Sequence, residues 1–475
     1  MQKCILVITD GIGINKENYY NAFMSAAKPN YKILNDEAKF CTLKTSGKSV
    51  GLPDGVIGNS EVGHMTIGSG RIIYQNLVRI NNAIEDKSIY ENDTLNKFIS
   101  KFKRIHVIGL YSDGGVHSSY EHFNVICEIV SKNSKCFAHI ITDGRDVLPQ
   151  EFYDFYEKNP SYIKPSSISG RFYAMDRDNN LDRTRAYIDM LFNEDEPKDM
   201  REIVLNAYKN NITDEFIEPT KLDTSDIKMN DGVIIVNFRS DRARQLAKEL
   251  QVNLSSEQVL CMCEYDEKLN LDVIFPKVEI NNTLAEILSQ NNLKQFHTAE
   301  TEKYAHVSFF FNGGVEKEFK NEARVLVPSP KVKSYAEMPE MSAYKVCDCV
   351  LKAIDDGYDF IVVNFANGDM VGHTGDYNAA IKAVESVDYC LGKIMLSAKN
   401  NNYALLITSD HGNCEAMRNK EGKKLTNHTT FDVGCWLYNY KKDINLKNGS
   451  LANVAASVLK ILDLEKPKEM EEALF

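Results

Sequence analysis

Short apolar runs that stop at a polar turn recur along the whole chain, and this pattern constrains the fold more than any other feature. Residues 4–9 run into Asp10-Gly11, and residues 105–110 lead to Ser112, Asp113 and two glycines. Residues 137–142 lead into Asp143-Gly144-Arg145-Asp146, and residues 233–237 into Phe238-Arg239-Ser240-Asp241-Arg242. Residues 360–365 precede Asp369, and residues 403–408 precede Asp410-His411. Runs of this length read as buried strands. Between them, residues 120–131, 243–250 and 378–398 have the apolar spacing of amphipathic helices. Strands alternating with helices predict parallel α/β sheets, where ligands gather beyond the carboxyl ends of the strands.

Composition excludes several classes. A chain of 475 residues predicts two or three domains. With 56 Lys+Arg against 67 Asp+Glu, the net charge of −11 disfavours a general nucleic-acid or anionic-membrane binder. Eleven cysteines, an odd number in no zinc or redox spacing, predict reduced core thiols. The first residues read as a strand rather than a signal peptide, and no apolar stretch is long enough to span a bilayer. The expectation is a soluble, cytoplasmic protein.

The chemistry is divided by position. Candidate metal ligands occur before about residue 75 and after about residue 365, whereas the intervening stretch carries Arg145, Arg171, Arg177, Arg183, Arg185, Arg239, Arg242 and Arg244. The economical arrangement is a metal domain built from both chain ends (residues 1–75 and 277–475) with a second α/β domain inserted at residues 76–276. The crossings are expected near residues 74–76 and 275–277, where Pro276 breaks regular structure.

Asp369 and His373 stand four residues apart, close enough to share an ion on a helical segment; Asp410, His411, His428 and Asp10 add ligands at other predicted strand ends. Carboxylate and imidazole without thiolate suit Mn²⁺ or Zn²⁺, while an all-oxygen site would suit Mg²⁺ better. Ser60 lies among Gly58, Gly63, Gly68 and Gly70. Alone it reads as a helix N-cap. Beside a two-metal site it reads as a nucleophile toward phosphate, with the arginines as clamps for phosphate and carboxylate.

The motifs around residues 58–64, 143–146, 174–177, 238–242, 301–306 and 408–413, in this order, resemble those of the cofactor-independent (2,3-bisphosphoglycerate-independent) phosphoglycerate mutases, in the alkaline-phosphatase-like metalloenzyme group. The resemblance runs over essentially the full length. It implies one metal held by Asp369, His373 and His428, and another by Asp10, Ser60, Asp410 and His411. Mn²⁺ is the first expectation, with Mg²⁺, Co²⁺ or Zn²⁺ as alternatives. It further implies substrate gripped by His117, Arg145, Asp146, Arg177, Arg183, Arg239, Arg242 and Lys303. The implied reaction interconverts 3-phosphoglycerate and 2-phosphoglycerate in glycolysis and gluconeogenesis through phosphoserine on Ser60, with Asp146, read beside Arg145, exchanging protons with the glycerate hydroxyls. A monomer with small-molecule substrates as its only partners is expected. Ser240, Leu181 and Phe431-Asp432 depart from the family pattern, where proline, tryptophan and Asn-Pro are usual, without removing a ligand or clamp. A phosphatase on the same core, or a non-catalytic phospho-ligand sensor, are the rival readings.

Overall fold

The computed structural model describes residues 1–475. The chain forms two compact units: Met1–Tyr74 with Glu279–Phe475, and Gln75–Val278.

In the split unit, eight strands form one sheet. Five consecutive neighbours run parallel: Glu322–Val327, Gln295–Glu300, Phe360–Phe365, Lys3–Thr9 and Tyr403–Thr408. The first strand of the chain is therefore central. Its side chains alternate between two cores: Cys4, Leu6 and Ile8 pack with Ile67, Leu284 and Val458, while Ile5 and Val7 pack with Tyr31, Val350 and Val387. Both faces are covered by helices, which is why the strand is apolar throughout. Each such aliphatic side chain contributes about 1.5–3 kcal/mol by leaving water.

Beyond Tyr403–Thr408 the sheet departs from the parallel expectation. Val433–Tyr438 runs antiparallel to it and to Lys39–Lys44, and Gly449–Ser450 completes the edge. A parallel return needs a crossover, usually a helix. Residues 409–432 contain no helix, so the chain turns back antiparallel.

The inserted unit is a seven-stranded sheet in the order Thr220–Lys221, Pro165–Gly170, Lys135–Thr142, Arg104–Leu110, Gly232–Ile235, Val259–Cys263 and Asp272–Phe275. All neighbours are parallel except the first pair. Ile105 and Val107 face one core, with Ile140 and Ile234; Ile108 and Leu110 face another, with Ile141 and Ile235.

All three predicted helices form, the second and third longer than expected, over Tyr120–Ser131, Ser240–Asn253 and Tyr377–Asn400. No helix is long and apolar enough to cross a membrane. All eleven cysteines are free thiols.

Candidate functional site

Asp10, Lys303, Asp369, Asp410 and His411 follow the carboxyl ends of four parallel strands of the split unit. Gly11 allows the approach of two of these turns: with φ +75°, a Cβ there would stand 2.5 Å from Asp369 Cα. Ser60 opens the helix Ser60–Ser69, but it is not the cap. Asn59 takes that role, its side chain accepting from the Val62 N–H at 2.9 Å. The alternative of Ser60 as the cap is thereby excluded, and its hydroxyl is turned to other partners. Gly58 brings this turn against Thr45, whose carbonyl oxygen would be 2.1 Å from an added Cβ.

Ser60 Oγ lies 2.9 Å from His411 Nε2, 3.5 Å from Asp10 Oδ1 and 2.6 Å from Lys303 Nζ. His411 Nε2 is 3.4 Å from Asp410 Oδ2 and 3.6 Å from Asp10 Oδ1. Asp410 Oδ2 is buried and accepts no hydrogen bond. An orphaned carboxylate oxygen in a dry site is costly unless a cation meets it.

The second donor group is Asp369, His373 and His428. Asp369 and His373 are an i,i+4 pair, as their spacing predicts. His373 Nε2 and His428 Nε2 stand 3.1 and 3.0 Å from the same Asp369 Oδ1, and 3.0 Å from each other. Their other nitrogens face backbone carbonyls: His373 Nδ1 at Thr426 (2.6 Å) and His428 Nδ1 at Gly58 (2.8 Å). A carbonyl can only accept, so each Nδ1 carries hydrogen and each neutral ring turns its Nε2 lone pair inward. Two inward lone pairs and one carboxylate oxygen make a donor set for a divalent ion.

Protons compete for the same Nε2 lone pairs, since a ring carrying hydrogen on both nitrogens donates to Asp369 instead. Burial works against the charge on Asp369, but Lys303 and the hydrogen bonds from His373 and His428 outweigh it and hold its carboxyl well below the usual range. The bond to Asp369 pushes the His373 imidazole up; at His428 burial opposes the same effect and loses. Lys303 is buried, yet Asp10, Asp369 and Asp410 raise its pKa and keep it an ammonium. It donates to Asp10 at 2.9 Å and to Asp369 at 2.7 Å, so it already sits as a cation between carboxylates from both donor groups.

Sequence reasoning missed the supports. Asn364 donates to Asp10 Oδ2 at 2.7 Å, and Asn413 to Asp369 Oδ1 at 2.8 Å. His64 is buried, with Nδ1 at the Ser60 carbonyl (2.8 Å) and Nε2 accepting from Asn364 (3.0 Å). Burial lowers its pKa to about 4, so it stays neutral. With both nitrogens engaged, it orients the serine turn. Its place one helical turn after Ser60 is the only hint the sequence gives.

In the inserted unit, Ser112 and His117, Asp143 to Asp146, Arg171, and Arg239 with Arg242 likewise follow parallel strand ends. Arg171, almost fully buried, binds Asp143 and Asp146, each at 2.5 Å. Asp146 is thus paired with Arg171. Arg145, its neighbour in sequence, reaches Glu215 at 3.2 Å. Asp241 gathers Arg177 (3.2 Å), Arg239 (3.3 Å) and His117 Nδ1 (3.5 Å), and His117 Nε2 lies 3.7 Å from Asp146. Burial, then Arg171, lowers the His117 pKa to about 4. Its Nδ1 and Asp241 Oδ1 are buried without hydrogen-bond partners. Arg242 donates to the Met175 carbonyl at 3.1 Å; burial lowers its pKa, and the nearby charges of Arg171, Arg145 and Arg177 add to that. Arg183 differs: it pairs with Asp176 at 3.3 Å and lies over the Phe172 ring at 3.9 Å.

The profile of the Metalloenzyme superfamily matches residues 2–466. The 2,3-bisphosphoglycerate-independent phosphoglycerate mutase of Campylobacter jejuni subsp. jejuni serotype O:6 is 54% identical over 490 residues, covering 100% of both chains. That of Aliarcobacter butzleri is 50% identical over 488 residues, covering 99% of each. Among solved structures, phosphoglycerate mutase of Leishmania mexicana at low cobalt concentration is similar with a TM-score of 0.58 and 28% identity, over 100% of this chain and 97% of that one.

Proposed function

Since the chain belongs to the 2,3-bisphosphoglycerate-independent phosphoglycerate mutase family, within the Metalloenzyme superfamily, we propose that it interconverts 3-phosphoglycerate and 2-phosphoglycerate without 2,3-bisphosphoglycerate. The observation that carries the mechanism is the Ser60 hydroxyl, held 2.6 Å from Lys303 Nζ and 2.9 Å from His411 Nε2.

Asp369, His373 and His428 would hold one divalent ion, and Asp10, Ser60, Asp410 and His411 a second. The inward Nε2 lone pairs and the orphaned Asp410 oxygen fit such ions; the mixed carboxylate and imidazole donors suit Mn²⁺ or Zn²⁺, and the family resemblance puts Mn²⁺ first. When bound, the ions lower the hydroxyl pKa at Ser60 and offset charge on the phosphoryl oxygens.

Ser60 Oγ attacks phosphorus in line as the alkoxide, its proton having gone to solvent; the bond from phosphorus to the glycerate C3 oxygen breaks, leaving phosphoserine and glycerate. The glycerate 2-hydroxyl then attacks phosphorus, and Ser60 is released. Lys303, kept charged by its carboxylates, stabilises the serine oxygen and cannot act as base. Asp146 takes the proton of the 2-hydroxyl and passes it to the C3 oxygen, so the carboxylate is regenerated and protons balance. Arg171 orients it. His117, neutral, offers one N–H to the substrate. Arg145, Arg177, Arg183, Arg239 and Arg242 bind carboxylate and phosphate, groups that guanidinium meets bidentately. The enzyme works as a cytoplasmic monomer in glycolysis and gluconeogenesis, with no nucleic-acid partner.

The test is turnover of 3-phosphoglycerate coupled to enolase, with no 2,3-bisphosphoglycerate added. Robust turnover that chelation abolishes and Mn²⁺ restores is expected. Release of inorganic phosphate alone would make the protein a phosphatase, and no turnover with any divalent ion would leave it a binding protein.

A further inference from the structure

The split unit carries a concavity of 560 Å³ whose walls include Tyr19, Tyr20, Tyr377, Arg418 and Lys424. None of these is assigned above to metal or substrate. Small-molecule sites occupy about 300–1,000 Å³, so the volume suits a metabolite.

Its aromatic wall is held by an unusual backbone. Tyr20 has φ +45°, in the left-handed region that bulky side chains avoid. The Met417 N–H holds this turn, donating to the Tyr20 carbonyl at 3.1 Å. The result is a cluster of rings: Tyr20 meets Tyr19 edge-on at 4.9 Å and Tyr377 at 5.0 Å. Tyr19 is half exposed. Strain of this kind persists where the surroundings over-determine it, and it collects at ligand sites.

The cationic wall is as telling. Arg418 and Lys424 are partners in an antiparallel bridge, a register that sets side chains next to one another. Like charges placed so repel, and an anion between them would relieve the repulsion. The Arg418 guanidinium stands 4.5 Å from the Tyr20 ring centroid and donates to the Gly422 carbonyl at 2.7 Å. The one carboxylate lining the cavity, Asp376, is committed to the helix Tyr377–Asn400, accepting from the Ala379 N–H at 3.0 Å.

A ligand matching both walls has a planar ring and a phosphate. We propose that this cavity binds a nucleoside phosphate, its base on the tyrosine wall and its phosphates between Arg418 and Lys424. Aromatic faces are tolerant of any base, and paired cations accept a di- or triphosphate better than a single charge.

The test is calorimetric titration of the full-length protein with ADP, in EDTA so that no metal recruits phosphate to the other site. One saturable site is expected, with adenosine and pyrophosphate each binding more weakly than ADP. Arg418→Met and Lys424→Met should each weaken ADP by about tenfold while leaving the circular dichroism spectrum unchanged. Arg418→Lys should retain part of the loss. Saturating 3-phosphoglycerate should not displace ADP. The proposal is overturned by a lack of saturation at millimolar ADP, by unaltered affinity in both methionine variants, or by full displacement with 3-phosphoglycerate.

Discussion

Lys303 Nζ stands 2.6 Å from Ser60 Oγ, the shortest contact this hydroxyl makes. A permanently charged ammonium therefore faces the proposed nucleophile. Ser60→Ala should abolish mutase turnover, by at least about a thousandfold, with the fold retained. Mass spectrometry of acid-quenched enzyme should find phosphoserine at residue 60 in wild type and none in the variant. Substantial turnover by the alanine variant would sink the covalent route.

The same lysine stabilises the empty protein. Lys303→Met leaves Asp10 and Asp369 buried without their ammonium. In EDTA the variant should lose about 3–5 kcal/mol of stability, the cost of breaking a buried ion pair from one side. Added Mn²⁺ should then raise the variant's unfolding midpoint more than that of wild type. Equal midpoints in EDTA would show that Lys303 matters to chemistry alone.

A third prediction concerns pH. Glu300, just before the Lys303 turn, is 1% exposed and accepts from Ser329 Oγ at 2.8 Å and the Ser342 N–H at 3.3 Å. Burial raises its pKa to about 7. The folded state then holds a proton that the unfolded chain releases near pH 4.5. Stability from this group is present in full below pH 4.5 and declines as pH rises to 7, by about 3 kcal/mol in all. Glu300→Gln should flatten that decline in urea titrations between pH 4.5 and 8 and be the more stable protein at pH 8. Parallel curves for the two proteins would refute the assignment.

Arg239 is half exposed and tied only through Asp241. Arg239→Ala should raise KM for 3-phosphoglycerate by about tenfold or more and loosen the hold on glycerate. Turnover with isotopically labelled free glycerate reads this directly. Wild type should incorporate almost none into phosphoglycerate, and the variant should incorporate label or release inorganic phosphate. Free exchange by wild type would rule out a retained glycerate.

Asp10, Asp369, Asp410 and His411 could be read from the sequence because each follows a continuous apolar run, and a buried parallel strand leaves no other end for polar residues to occupy. What could not be read depends on contacts between distant residues. Asn59 and Ser60 are both good caps, and only the fold decides that Asn59 serves. Arg171 lies 28 residues from Asp143, and nothing local says that it, rather than Arg145, pairs with Asp146. The strand Lys39–Lys44 has Phe40 exposed and pairs with Val433–Tyr438, almost four hundred residues away. Its one-sided burial gives no continuous apolar run to detect.

The central position of Lys3–Thr9 has a consequence for how the protein is made. This strand is synthesised long before its two neighbours, which begin at Phe360 and Tyr403. At about 5–20 residues per second, both its edges stay unpaired for roughly 20–80 s. The inserted unit, contiguous from Gln75 to Val278, is complete well before then. Protease resistance in ribosome-bound chains should therefore appear first in that segment, while the strand Lys3–Thr9 waits for a chaperone or for the distant segments that carry its neighbours.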